Sequence, residues 1–364
     1  MSATNTDPFF YAGVLAAAFA VSWALVSALR RLAPQIGLLD RPNARSLHTR
    51  VTPRGGGIGF VLAAVGLAGL WLARGGVAAG LETELAVFLG GAAAVAAVSL
   101  RDDFRPVGAG WRFLCHLAAA GAAVAFIGPI KEIALPGIGA LPLGWAGPAL
   151  TIVWIVGLTN VYNFMDGIDG IAGMQGVMAG LVWALTGAWL SLPAVTLLGL
   201  VLAGGCGGFL PHNWSPAKIF MGDVGSAFLG YCFAVLPLVA LRELEGAGGA
   251  TGTAVAALPA FGLLVMWPFV GDGFFTFVRR ARRLEPVWKA HRSHLYQKLV
   301  HTGWSHARVA TVYGGWGVLS AASGLLWLSG APGGAVAALV SPPASLAGMY
   351  FLVALRERGA GGDR

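Results

Sequence analysis

GPALTIVWIVGLTNVYNFMDGIDG, Gly147 to Gly170, is the stretch on which the fold turns. Its first part, 147–164, carries no charge and is mostly apolar. At 1.5 Å rise per residue such a run crosses a hydrocarbon core of roughly 30 Å. It ends in two amides, Asn160 and Asn163, and two carboxylates, Asp166 and Asp169, set among glycines. The pattern is that of a membrane helix delivering polar groups to one membrane surface.

Similar runs recur on both sides of it. We read about 11 spans, at 9–29, 56–73, 84–100, 112–129, 147–164, 170–189, 191–210, 225–241, 253–277, 309–329 and 332–355. The 364 residues are 57% hydrophobic and 11% charged, with mean hydropathy +0.73, which excludes a soluble globular domain and a disordered chain. The runs are too evenly apolar for barrel strands, which alternate with period two. The expectation is an all-α polytopic transmembrane helical bundle, one domain over 1–364, with no internal repeat. MSATNTDPFFYAG lacks a basic stretch and leads directly into the first span, so that span is expected to stay. Cys115, Cys206 and Cys232 lie in apolar runs without ligand spacing and read as core residues. His116, alone in a span, reads as a satisfied core histidine.

Of the 24 lysines and arginines, 21 fall in loops that share one side, and only Arg74, Lys131 and Arg242 fall on the other. The positive-inside rule makes the rich side cytoplasmic, with the N-terminus outside and the C-terminus inside. This collar also suits contact with anionic lipid.

Sidedness gathers the carboxylates. Asp102 and Asp103 in SLRDD, Asp166 and Asp169, and Asp223 in FMGDVGS all fall at cytoplasmic ends of spans. Carboxylates that meet repel one another unless a cation sits among them. Oxygen ligands without a cysteine or histidine cage favour Mg²⁺ or Mn²⁺, with positions left for substrate phosphates. Asp166 and Asp169, three apart, can share a face of a helical turn.

Two basic loops complete this side. RPNARSLHTRVTPRGGGIGF, Arg41 to Phe60, offers Arg45, His48, Arg50 and Arg54, and Gly55–Gly57 present backbone N–H groups at a helix start. Both features suit phosphate. GGGIGF is not a dinucleotide fingerprint, because no strand precedes it. The loop from Arg279 to Arg308 holds His291, His294, His301 and His306, which suit anion binding or proton handling better than metal.

Taken together, RSLHTRVTPRGGG, the RDD at Arg101–Asp103, NVYNFMDGIDG, FLPHNWSPAKIFMGDVGS and AHRSHLYQ resemble the motifs of the polyprenyl-phosphate N-acetylhexosamine-1-phosphate transferases. The resemblance runs from about Arg41 to Trp304. It implies transfer of a sugar-1-phosphate from a UDP-N-acetyl sugar to undecaprenyl phosphate at the bacterial cytoplasmic (inner) membrane, with the site facing the cytoplasm. It also implies Mg²⁺ (or Mn²⁺) as cofactor, no nucleic acid, and room for a homodimer.

By the resemblance, Asp102 or Asp103 is the base or nucleophile, and Asp223 and Asp169 are metal ligands. Asn163 and Asp166 help build the diphosphate site, Asn213 and Phe220 contact uracil, and His294 with Arg292 binds phosphate. His48 and Arg54 join them as phosphate donors. Tyr296 and Gln297 depart from the family's His-x-His-His motif. The departure looks like an O-antigen-initiating branch, with UDP-GlcNAc, UDP-FucNAc or UDP-QuiNAc as donor. The phospho-MurNAc-pentapeptide transferases of peptidoglycan synthesis are the alternative within the family. A cation-coupled transporter is the alternative from another class, disfavoured because the carboxylates lie at one surface rather than the midplane.

Overall fold

The computed structural model describes residues 8–42, 50–76, 80–246, 253–286 and 292–361. His48, Arg45 and His291 lie outside these residues. Among the described residues the chain forms thirteen α-helices and two short hairpins. The first helices are α1 (Pro8–Ile36), α2 (Gly57–Ala73), α3 (Glu82–Phe104), α4 (Ala109–Phe126), α5 (Gly147–Met165) and α6 (Ile171–Trp189). They are followed by α7 (Pro193–Asn213), α8 (Asp223–Gly246), α9 (Thr253–Val265), α10 (Trp267–Arg282), α11 (Leu295–His301), α12 (His306–Leu328) and α13 (Gly334–Gly361). Among the described residues nine helices are long and apolar enough to cross a membrane, and the 17-residue α2 is a shorter apolar helix.

One span is not straight. The run at 253–277 divides at Met266 into α9 and α10, bent by 70°. Pro268 stands in the first turn of α10, where a missing N–H is tolerated and a helix begins more readily than it continues. The bend leaves an apolar groove between α5 and α10.

Close helix packing explains part of the glycine content, 55 residues in all. A Cβ on Gly180 would lie 2.6 Å from the Ala203 nitrogen, and one on Gly199 would lie 2.5 Å from that of Ala184, so α6 and α7 meet backbone to backbone. Small residues at crossings drive association where lipid removes the hydrophobic difference. The central helix is α8, apolar all round and buried along most of its length. Its N-terminus, carrying Asp223, therefore lies in the middle of one end of the bundle. The three cysteines are free, Cys206 and Cys232 being buried. His116 is buried, but neither ring nitrogen has a hydrogen-bond partner among the described residues, so the expected satisfied histidine is an unsatisfied one.

β1 (Leu39–Asp40) and β2 (Thr52–Pro53) pair antiparallel and bring the first loop back to the bundle. There the Phe220 N–H donates to Pro53 O at 2.8 Å, Gly56 N–H to Phe220 O at 2.9 Å, and Gly57 N–H to Met221 O at 2.8 Å. The glycines expected to offer N–H groups to phosphate are thus buried, and those of Gly56 and Gly57 are spent on the FMGD segment. Their small size matters instead, since a Cβ on Gly57 would meet the Gly225 Cα at 2.5 Å. On the opposite side, β3 (Glu132–Leu135) and β4 (Gly139–Pro142) form a hairpin remote from the carboxylates.

Candidate active site

The ends of α3 and α5 and the start of α8 bring Asp102, Asp103, Asn163, Asp166 and Asp223 to one cleft. Asp103 is its pillar. Its Oδ1 accepts from the Asp223 N–H at 3.1 Å and its Oδ2 from the Val224 N–H at 3.0 Å. It thereby caps α8, whose first N–H groups have no partner within the helix. Gly222 permits this approach: its φ is +79° and an added Cβ would lie 2.7 Å from Asp103 Oδ2. Arg54 joins from the first loop, donating to the Asp103 carbonyl, with Nη1 3.9 Å from Oδ1.

Asp102 is half-buried and faces the cleft. Its Oδ1 accepts from the Val107 N–H at 2.5 Å. Arg112, at the start of α4, links the walls: Nη1 lies 2.7 Å from Asp102 Oδ2 and 2.9 Å from Asp223 Oδ2, and Nη2 donates to Asn163 Oδ1 at 3.4 Å. Asn163 in turn donates to Ser226 Oγ at 2.9 Å. In the sequence Arg112 reads only as one charge of the collar, and its bridging role was missed.

Asp166 and Asp169 do not share a helical face. α5 ends at Met165, and the next five residues are a non-helical turn closed by Gly170 at φ +80°. Asp166 turns toward the cleft. Burial, then the charges of Asp223, Asp103 and Asp169, push its carboxyl up to about 8. Asp169 turns the other way, its Oδ2 accepting from the Ala217 N–H at 3.1 Å and lying 3.3 Å from His306 Nδ1. Burial opposes its ionisation, but the His306 hydrogen bond and charge and the Ala217 N–H hold it below the usual carboxylate range.

Asn213 is buried and braces the same wall, accepting from the Gly170 N–H at 2.9 Å and donating to Ile219 O at 3.0 Å. Both its polar groups are spent on the protein. Phe220 is half-buried beside it, its backbone paired with the first loop.

Four carboxylates (Asp102, Asp103, Asp166, Asp223) thus face two guanidinium groups (Arg54, Arg112), so full ionisation leaves two uncompensated negative charges. Among the described residues no three His, Cys, Asp or Glu side chains form a ready-made cage. Such a donor set fits a hard divalent ion held by one or two carboxylates and completed by phosphate or water.

The groove between α5 and α10, of 390 Å³, reaches this face. Its lining includes Trp154, Val161 and Phe164 on one wall, Val270 and Phe274 on the other, and Arg280 and His294. His294 is buried, and Arg292 beside it is half-buried. Sequence reasoning missed Asp272 of α10, fully buried and bonded to the His294 ring.

The model of glycosyl transferase family 4 matches residues 85–241. The chain is 30% identical over 289 residues to the Bacillus subtilis protein named "Probable undecaprenyl-phosphate N-acetylglucosaminyl 1-phosphate transferase", covering 76% of this chain and 74% of that protein. It is 32% identical over 298 residues to the decaprenyl-phosphate N-acetylglucosaminephosphotransferase of Mycobacterium leprae, with the same two coverages, 76% and 74%. It is also 33% identical over 201 residues to the phospho-N-acetylmuramoyl-pentapeptide-transferase of a Synechococcus strain, 54% of each chain. With its helical bundle and its cleft of aspartates, the chain belongs to glycosyl transferase family 4, the polyprenyl-phosphate sugar-1-phosphate transferases.

Proposed function

We propose that this protein transfers a sugar-1-phosphate from a UDP-N-acetylhexosamine to undecaprenyl phosphate, giving undecaprenyl-diphosphate-sugar and UMP. The observation that carries the reading is the meeting of two unlike surfaces. An apolar groove suited to a prenyl chain ends at Arg280 and His294, on the face where the carboxylate cleft suits a charged diphosphate. The basic collar supports a cytoplasmic orientation of that face, and the bacterial relatives support the cytoplasmic membrane as its location.

Both reactants are anions, so catalysis is mainly positioning and charge neutralisation. Asp223 with Asp166 would hold Mg²⁺, which would supply positive charge against the diphosphate. Asp169 has Oδ2 engaged elsewhere, and we place it as the brace of the Asp166 turn. Asp103 has both oxygens committed to backbone N–H groups at the α8 N-terminus, whereas Asp102 keeps Oδ2 on the Arg112 side chain, a partner that a phosphate can draw away. Asp102 is therefore the better placed to take the proton of the lipid phosphate. Arg112 Nη1, shared between Asp102 and Asp223, can exchange these carboxylates for a phosphate, which its fork can bind through two N–H groups. Asn213 and Phe220 shape the wall nearest the FMGD segment, where the uridine would lie. Arg292 and His294 flank the acceptor phosphate.

The donors to compare are UDP-GlcNAc, first on the names of two relatives, then UDP-FucNAc and UDP-QuiNAc, the last two pointing to an O-antigen pathway. UDP-MurNAc-pentapeptide tests the peptidoglycan alternative. Purified protein with undecaprenyl phosphate and each donor should release UMP with at least one of them. No UMP with any donor, together with exchange of ions or nucleotide across a sealed vesicle, would restore the transporter reading.

A further inference from the structure

A carboxylate inside a membrane helix is costly unless it is paired. Asp272, in the interior of α10, is paired from several sides. Its Oδ1 lies 3.3 Å from His294 Nδ1 and accepts from the Leu295 N–H at 2.9 Å and the Thr276 hydroxyl at 3.1 Å. Its Oδ2 accepts from the Tyr313 hydroxyl at 2.7 Å and the Tyr296 N–H at 3.2 Å.

Three of these five contacts come from consecutive residues, 294–296. The carboxylate therefore pins the start of α11 to α10. The residues that follow it in α10, Gly273 and Phe274, line the apolar groove, as His294 does. The second wall is tied in as well. His294 stacks on Tyr296 with ring centroids 5.7 Å apart, and the Tyr296 hydroxyl donates to the carbonyl of Phe164, a groove residue of α5, at 3.2 Å. Gln297 closes the corner, its Oε1 accepting from the His294 N–H at 3.2 Å. Tyr296 and Gln297 are thus both used as braces.

We propose that Asp272 is a positioning residue for the transfer. It holds His294 as the tautomer protonated at Nδ1 and sets the Nε2 edge of the ring toward the phosphate delivered by the groove. An ionised carboxylate only accepts hydrogen bonds, so the ring nitrogen facing it must be the donor. The proposal rests on the groove being the acceptor site, as argued above.

A double-mutant cycle on UMP release by the full-length protein separates positioning from general stability. Asp272→Asn keeps the shape but lets the histidine choose the wrong tautomer. We expect kcat to fall by about 100-fold, with KM for the UDP-sugar little changed and partial rescue by Asp272→Glu. In a His294→Ala background the same substitution should cost no further activity. Equal losses in both backgrounds, or wild-type kcat for Asp272→Asn, would overturn the proposal alone. No UMP from the wild-type protein would overturn the transfer reading and the proposal with it. If Asp272→Asn does not fold, Tyr313→Phe carries the same cycle, because it removes one donor and keeps the ring. Its loss, about 5-fold for one hydrogen bond, should vanish when His294 is absent, and persistence there would count against positioning.

Discussion

Asp272 and Asp223 are both aspartates of bundle helices, and their surroundings are opposites. Asp272 is one carboxylate among five donors, all supplied by the protein. Asp223 belongs to a group of four carboxylates that share two guanidinium groups. The first arrangement is complete and holds its neighbours still. The second is short of positive charge, the electrostatic condition for binding a cation and an anionic substrate together. Asp272 is fully buried and Asp223 only half-buried, and the balance of donors against charges further distinguishes a brace from a binding cleft.

Removing the one cation that bridges the cleft should break the contrast most strongly. Arg112→Ala leaves Asp102 and Asp223 facing each other without their shared partner. We expect UMP release to fall by about 100-fold or more. Arg112→Lys should recover only part of it, because a point charge cannot bridge three acceptors as a fork does. Full activity in Arg112→Lys would show that charge alone suffices.

A smaller effect is expected at Asp169, which the comparison groups with the braces. His306 and the Ala217 N–H hold its carboxyl below the usual range, so the pairing stabilises the fold above the ordinary carboxylate pKa of about 4. That contribution is lost as pH falls through the depressed folded-state value. Asp169→Asn should lower stability near neutral pH by about 1 kcal/mol, read as Tm in detergent, and the difference from wild type should shrink on acidification. A gap that widens in acid would remove Asp169 from the braces.

The fold was legible because membrane spans are set by length and composition, which need no knowledge of contacts. The bend at Met266 was not. Pro268 is visible in the sequence, but a proline within an apolar run fits a tolerated kink as well as a broken span. The carboxylates of the cleft stood out because charges are so few. Their division of labour did not, since it depends on which N–H each one meets: Asp103 the start of α8, Asp169 the Ala217 N–H.

Gly55–Gly57 misled for the same reason. A glycine run offers N–H groups to phosphate or to a neighbouring loop alike, and here the FMGD segment takes those of Gly56 and Gly57. Asp272 had a readable signal, a lone carboxylate in an apolar run not far before a histidine-rich loop. Its partner Tyr313, 41 residues later, had none.

The most direct test is metal binding, measured without turnover. Mn²⁺ titrated into the purified protein and followed by electron paramagnetic resonance should show one bound ion per chain. That signal should be lost in Asp223→Asn and kept in Asp272→Asn. A wild-type protein that binds no Mn²⁺, or an Asp223→Asn variant that binds it as the wild type does, would contradict the account.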